Sequence, residues 1–215
     1  MRKNTLIASM VLSVLALALP ALAGPPFTCH VFEIGAAKSL PWGAGNNWLG
    51  MRDDYDFHHV VADTEALLTP STPTLVRMET LRRASLYASR DRAVAEQLIA
   101  AMMSRVHTAD QVGQPIALFD AGYVIEALGE IEQFGNHMKQ LAGEERILAG
   151  LTHSYEARPL LEKSAALRPG DASIEFALGL ISRTPESEAH FRKARAGARE
   201  DALLANNLAR LQLLD

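Results

Sequence analysis

The sequence predicts an all-α protein: antiparallel helical hairpins stacked as a short α-solenoid, preceded by an irregular N-terminal arm. Three observations carry that expectation. From Thr74 onward the chain is dominated by Leu, Ala, Glu and Arg with apolar residues at three- and four-residue steps. A thirty-residue self-similarity runs through the last third, and the segment before Thr72 is instead rich in Gly, Pro, Asn, Trp and Asp. The 215 residues are 48% hydrophobic, enough for a packed core, and carry 21 basic against 25 acidic residues, a formal charge of −4. An acidic chain without clustered basic charge is repelled by phosphate backbones, so nucleic acid is excluded as an expected partner.

Residues 1–23 are expected to be a secretory leader. Arg2 and Lys3 form a basic head, Leu6 to Leu19 an apolar run too short for a bilayer-spanning helix of about 20 residues, and Ala21 and Ala23 the small residues of a cleavage site. Cleavage after Ala23 leaves 19 basic and 25 acidic residues, a charge of −6, in a periplasmic or secreted protein with no stable membrane insertion. The single cysteine, Cys29, has no internal partner for a disulfide; burial is favoured over an intermolecular bond or a reactive thiol. The preceding Pro26-Phe27-Thr28 does not resemble the small-residue box of a lipid-modified cysteine.

Residues 24–72 form the expected arm, packing on the helices of residues 73–215. Both tryptophans, Trp42 and Trp48, lie here in a Gly/Asn-rich setting. Such aromatics either pin the arm to the helical array or stack on a sugar or peptide ligand. Lys38-Ser39 lacks the glycine pattern of a phosphate loop. The densest polar cluster is Asp53-Asp54-Tyr55-Asp56-Phe57-His58-His59, where Asp53, Asp56, His58 and His59 are candidate metal ligands. Adjacent histidines point apart on a strand and the spacing matches no zinc signature, so a solvated acidic turn is the simpler reading. Cys29-His30 places a thiol beside an imidazole, but sequence neighbours rarely reach the geometry of a nucleophile pair. No catalytic residue is assigned and no cofactor is expected.

Thr72 before Pro73 reads as a helix start, with the hydroxyl as cap. Pro73 to Ser89 is expected as one amphipathic helix, with Leu75, Met78, Leu81 and Ser85 inward and Arg77, Arg82, Arg83 and Arg90 towards the other face. A second helix from about Asp91 to His107 carries Val94, Leu98, Met102 and Val106, and the short joint makes an αα-hairpin. A loop at Thr108 to Gln114 precedes a third helix from Ile116 to about Gln133 and a fourth from Asn136 to Leu151. Gly122 inside the third helix marks close helix contact, and the adjoining Tyr123 is a candidate groove residue or a core tyrosine.

The repeat frames are 147–176, 177–206 and 207–215. They align Leu148 with Leu178 and Leu208, Leu161 with Phe191, Ser164 with Ala194, and Asp171-Ala172 with Asp201-Ala202. Over residues 145–215 the pattern resembles the tetratricopeptide repeat family: Ala157, Leu161, Ser164, Pro169 and the Leu178-Gly179 pair keep the family's spacing, while the period is 30 rather than 34. The resemblance implies stacked helix pairs that hold a peptide or protein partner on a concave face, hence an interaction scaffold in the bacterial cell envelope. The alternative is a small metal-dependent or sugar-directed enzyme whose site lies in the arm, with Glu33 among its residues. The last helix, about Glu200 to Leu214, is apolar on many sides and must be covered by its own chain or by a second copy.

Overall fold

The structure is a computed structural model and describes residues 27–44, 47–137, 141 and 143–213. The leader assigned to residues 1–23 lies outside the described residues. Among them are nine α-helices and no strand: α1 Val60–Leu67, α2 Thr74–Ala88, α3 Arg92–Thr108, α4 Gln114–Phe134, α5 Glu144–Ile147, α6 Ala157–Leu167, α7 Ala172–Ile181, α8 Glu186–Gly197 and α9 Ala202–Arg210. No helix among the described residues is long and apolar enough to cross a membrane.

Helix α2 is the axis of the molecule, packed by α1, α3, α4 and α7. All of its residues except Arg83 are buried. The arginine face expected opposite the apolar stripe is therefore only half realised: Arg77 and Arg82, with Glu79, are each 0% exposed, while Arg83 and Arg90 stay partly exposed. A stripe of arginines on a helix ordinarily faces water, but here Asp120 of α4, Glu79 of α2 itself and carbonyls of the arm satisfy Arg77 and Arg82. The Thr72 cap is likewise corrected. Its hydroxyl donates to the Leu67 carbonyl at 2.8 Å and accepts from the Thr69 amide at 3.0 Å, so it closes the α1–α2 turn, and Pro73 occupies the cap position without a side-chain bond.

The hairpin of α2 and α3 is as expected, with Asp91 capping α3 through the amides of Ala93 and Val94. The arm is less irregular than its composition implies, since Val60–Leu67 is helical and Val60 is fully buried. The expected fourth helix is not continuous among the described residues. Those between the end of α4 and Leu151 include a short 3-10 turn at Gly135–His137 and the four-residue α5, with Gly143 and Gly150 at positive φ of 109° and 74°. Those left-handed positions interrupt the helix that the apolar spacing alone suggested.

From Ala157 onward the thirty-residue frame selects equivalent structural positions. Asp171 and Asp201 cap α7 and α9 in the same way, each accepting from the second and third following amides. Leu161 and Phe191 occupy matching buried places on α6 and α8, as do Ser164 and Ala194, and Leu178 and Leu208 are both buried. Leu148 is buried too, but at the end of the truncated α5 rather than within a full helix. The leucine-rich last helix is covered by its own chain: Leu204 and Leu208 are buried, and Leu203, Leu211 and Leu213 pack partly buried against the core.

Candidate interaction sites

The arm is held on the helices chiefly by its backbone. Glu130 of α4 accepts the Phe27 and Thr28 amides, both at 3.0 Å, and Glu79 of α2 accepts the Phe32 amide at 3.1 Å. Asn207 of α9 makes a reciprocal pair with Glu33, accepting its amide at 2.8 Å and donating to its carbonyl at 2.9 Å. Arg82 donates to the carbonyls of Thr28 and Trp48, Arg83 to that of Leu40, and the Tyr87 hydroxyl to that of Pro41 while accepting from the Arg52 amide. An extended segment has no internal ladder, so its polar groups must be satisfied from elsewhere once buried. Phe27, Phe32 and Leu40, 2%, 2% and 1% exposed, fill the spaces between these bonds.

At the centre Glu79 receives two guanidiniums, Arg82 Nη2 at 2.8 Å and Arg83 Nε at 2.7 Å. Both guanidiniums also lie against Trp42, at 5.0 and 5.4 Å from its ring centroid, and Trp42 meets Tyr87 edge-on at 5.7 Å. Gly50 is required where it stands, because a Cβ there would come within 2.5 Å of Trp42 Nε1. Trp48 is half-buried and borders a depression of about 340 Å³ together with Asn47, Met51, Asp53 and Arg90. Tyr123 is 0% exposed, packed between Phe27 and Phe119 at ring distances of 5.0 and 5.5 Å. Burial pushes its ionisation well up, and its hydroxyl has no partner in the structure.

Asp53, Asp56, His58 and His59 all stand exposed. Asp56 accepts the His58 amide at 3.1 Å, which starts a 3-10 turn at Phe57–His59, and lies 4.0 Å from His59 Nε2. Among the described residues no group of three or more His, Cys, Asp or Glu is arranged to hold a metal ion. Cys29 is half-buried, and burial followed by the Glu130 charge pushes its thiol up to about 11, away from a nucleophilic thiolate.

The arm latch has a pH signature. Burial raises the Glu130 carboxyl to about 7, against the two arm amides that favour its charge, and raises Asp120 to about 6. A carboxyl raised in the folded state holds its proton there longer than in the unfolded chain. Its contribution is therefore greatest below the unfolded value and is lost as pH rises through the folded one. Urea unfolding is expected to show lower stability at pH 8 than at pH 5.5, and Glu130→Gln is expected to flatten that fall. Parallel curves for the two proteins would contradict the assignment.

A second site, not anticipated from the sequence, lies on the far side of α2. A cavity of about 720 Å³ opens among the α1–α2 turn, the end of α3, the α3–α4 turn and the end of α6. Arg77, Arg105 and Arg168 reach it from three separate elements, and Val112, Ile116 and Leu167 give it an aliphatic side. Asp120 lies buried behind, 2.6 Å from Arg77 and 3.3 Å from Arg105, and its Oδ1 has no partner in the structure. Val112 is 87% exposed. The one legible hint was a valine isolated within the polar Thr108–Gln114 loop; the convergence of arginines 77, 105 and 168 is tertiary.

Comparison of the chain with protein-family models, with curated proteins and with solved structures finds no match.

Proposed function

We propose that the protein is an exported, tetratricopeptide-like helical protein that serves as a protein- or peptide-interaction scaffold in the bacterial cell envelope. The leader pattern of residues 1–23 and the repeat frame of residues 147–215 support the compartment and the architecture. The observation that carries the reading is the division of the surface. One face of the helices is filled by the chain's own arm, with Phe27, Phe32 and Leu40 in the core, while the α3–α4 cavity stays open and presents exposed Val112 and Leu167 beside Arg105 and Arg168. Large aliphatic side chains held in water next to guanidiniums with spare donors favour an interaction surface. The partner therefore docks at the α3–α4 turn rather than in the face that the arm occupies.

The test is site-specific photo-crosslinking in living bacteria of the full-length protein, with its leader, carrying a photoreactive residue at Val112 or, as control, at Leu49. A discrete protein adduct in the periplasmic or secreted fraction from position 112 and not from 49 is expected. Retention of the protein in the cytoplasm, or equal adduct patterns from both positions, would overturn the reading.

A further inference from the structure

This inference rests on the interaction reading and names the chemistry that the α3–α4 cavity accepts. Arg77, at its floor, is spent: Nε donates to the Thr72 carbonyl at 2.9 Å, Nη1 to Asp120 at 2.6 Å and Nη2 to the Thr69 carbonyl. Arg105 meets protein acceptors through Nη2 alone, the Leu68 carbonyl at 2.9 Å and Asp120 at 3.3 Å. Arg168, on the exposed rim, reaches only Asp171, at 3.4 Å. Two guanidiniums thus keep N–H donors that no described protein acceptor takes. The mutual proximity of the three is felt at Arg77, where burial, and after it the charges of Arg105 and Arg168, oppose protonation against the pull of Asp120.

The carboxylates around the cavity are already committed. Asp120 is enclosed between Arg77 and Arg105, Asp171 caps α7 and accepts the Thr74 hydroxyl, and Asp110 accepts the Gly113 amide. An incoming carboxylate would find the N–H donors of Arg105 and Arg168 that these pairings leave open. Guanidinium forks match a planar carboxylate, and a single negative charge suits a rim that also carries Asp110 better than a dianion does. Among the described residues no aromatic lines the cavity, so they provide no stacking on a base, sugar or aromatic ligand, whereas Val112, Ile116 and Leu167 present aliphatic surface. The exposed Gln111 adds an amide that can bind a peptide backbone.

We infer that this cavity binds an acidic–aliphatic stretch of a partner polypeptide, with a Glu or Asp side chain between Arg105 and Arg168 and its aliphatic neighbours on Val112, Ile116 and Leu167. The carboxylate sets the register, and the aliphatic side chains supply buried area.

The assignment is tested on the full mature chain by amide chemical-shift titration. The probe is an N-acetylated, C-amidated pentapeptide of leucine, valine, glutamate, leucine and alanine, and the control is its glutamine counterpart. Shifts confined to amides around Val112, Gly113 and Leu167 are expected, with about tenfold weaker binding for the glutamine peptide. A similar loss is expected for Arg168→Gln, an exposed position that leaves Asp120 paired. Arg105→Lys, which keeps a charge near Asp120 but loses the fork, is expected to weaken the glutamate peptide severalfold while the amide spectrum of the folded protein is retained. Equal affinity for the two peptides, or no shifts at millimolar peptide, overturns the inference. If the Val112 crosslink persists in that case, the scaffold reading stands and only the ligand chemistry fails.

Discussion

Arg82→Ala is expected to destabilise the protein by about 3–5 kcal/mol, because it removes one partner of a buried ion pair and leaves the other charged and enclosed. Arg82 and Glu79 are both fully buried, bonded at 2.8 and 2.9 Å. The same guanidinium also holds the carbonyls of Thr28 and Trp48, so its loss frees two stretches of the arm at once. Both tryptophans lie in that arm. Urea unfolding followed by tryptophan fluorescence should show the midpoint fall together with a red-shifted spectrum, while Arg82→Lys should retain part of the stability through charge alone. A loss under about 1 kcal/mol with an unshifted spectrum would show that Glu79 is satisfied by Arg83 and the Phe32 amide without help.

The second large effect is at the crossing of α4 and α6. A Cβ on Gly122 would lie 2.7 Å from Leu161 Cγ and 2.9 Å from the Ala157 carbonyl oxygen. The leucine can turn aside, but a backbone carbonyl cannot, so even Gly122→Ala must separate the two helices. A cost of about 3 kcal/mol is expected for Gly122→Val, at the upper end of overpacking penalties. Gly129, on the same helix, is the internal contrast. A Cβ there meets only Thr152, with Oγ1 at 3.4 Å and Cβ at 3.9 Å, so Gly129→Ala is expected to raise stability by about 0.4–1 kcal/mol through helix propensity. Thermal or urea unfolding of the two alanine variants checks the opposite signs; equal effects would mean that α4 and α6 adjust freely.

Much of the helical framework was legible because local rules govern it. Asp91 was legible as the start of α3, the repeat frame put Asp171 and Asp201 in equivalent places, where both cap helices, and apolar spacing located α2, α3 and α4 to within a few residues. The close contact marked by Gly122 was readable for the same reason: a glycine inside a helix is a local anomaly. Spacing failed between Asn136 and Leu151, where Gly143 and Gly150 take left-handed conformations that an apolar count does not weigh. The candidate site residues show the complementary limit. Trp42 was noticed as an aromatic, but whether it stacks on a ligand or under Arg82 and Arg83 depends on which segments fold back over α2.

The amino-acid sequence by itself determined that this chain is helical, where its main helices begin, and that the last third repeats at thirty residues, because caps, propensity and periodicity act between residues close in the chain. Only the tertiary structure decided that Arg77 and Arg82 of α2 are interior. It also filled one helical face with the arm and left the α3–α4 cavity open. Burial of a charge depends on partners far along the chain, as the bonds of Arg77 to Asp120, Arg82 to Trp48 and Arg82 to Thr28 illustrate at separations of 43, 34 and 54 residues. No local pattern encodes such distances; packing brings the partners together, and the low dielectric they share makes each indispensable to the other.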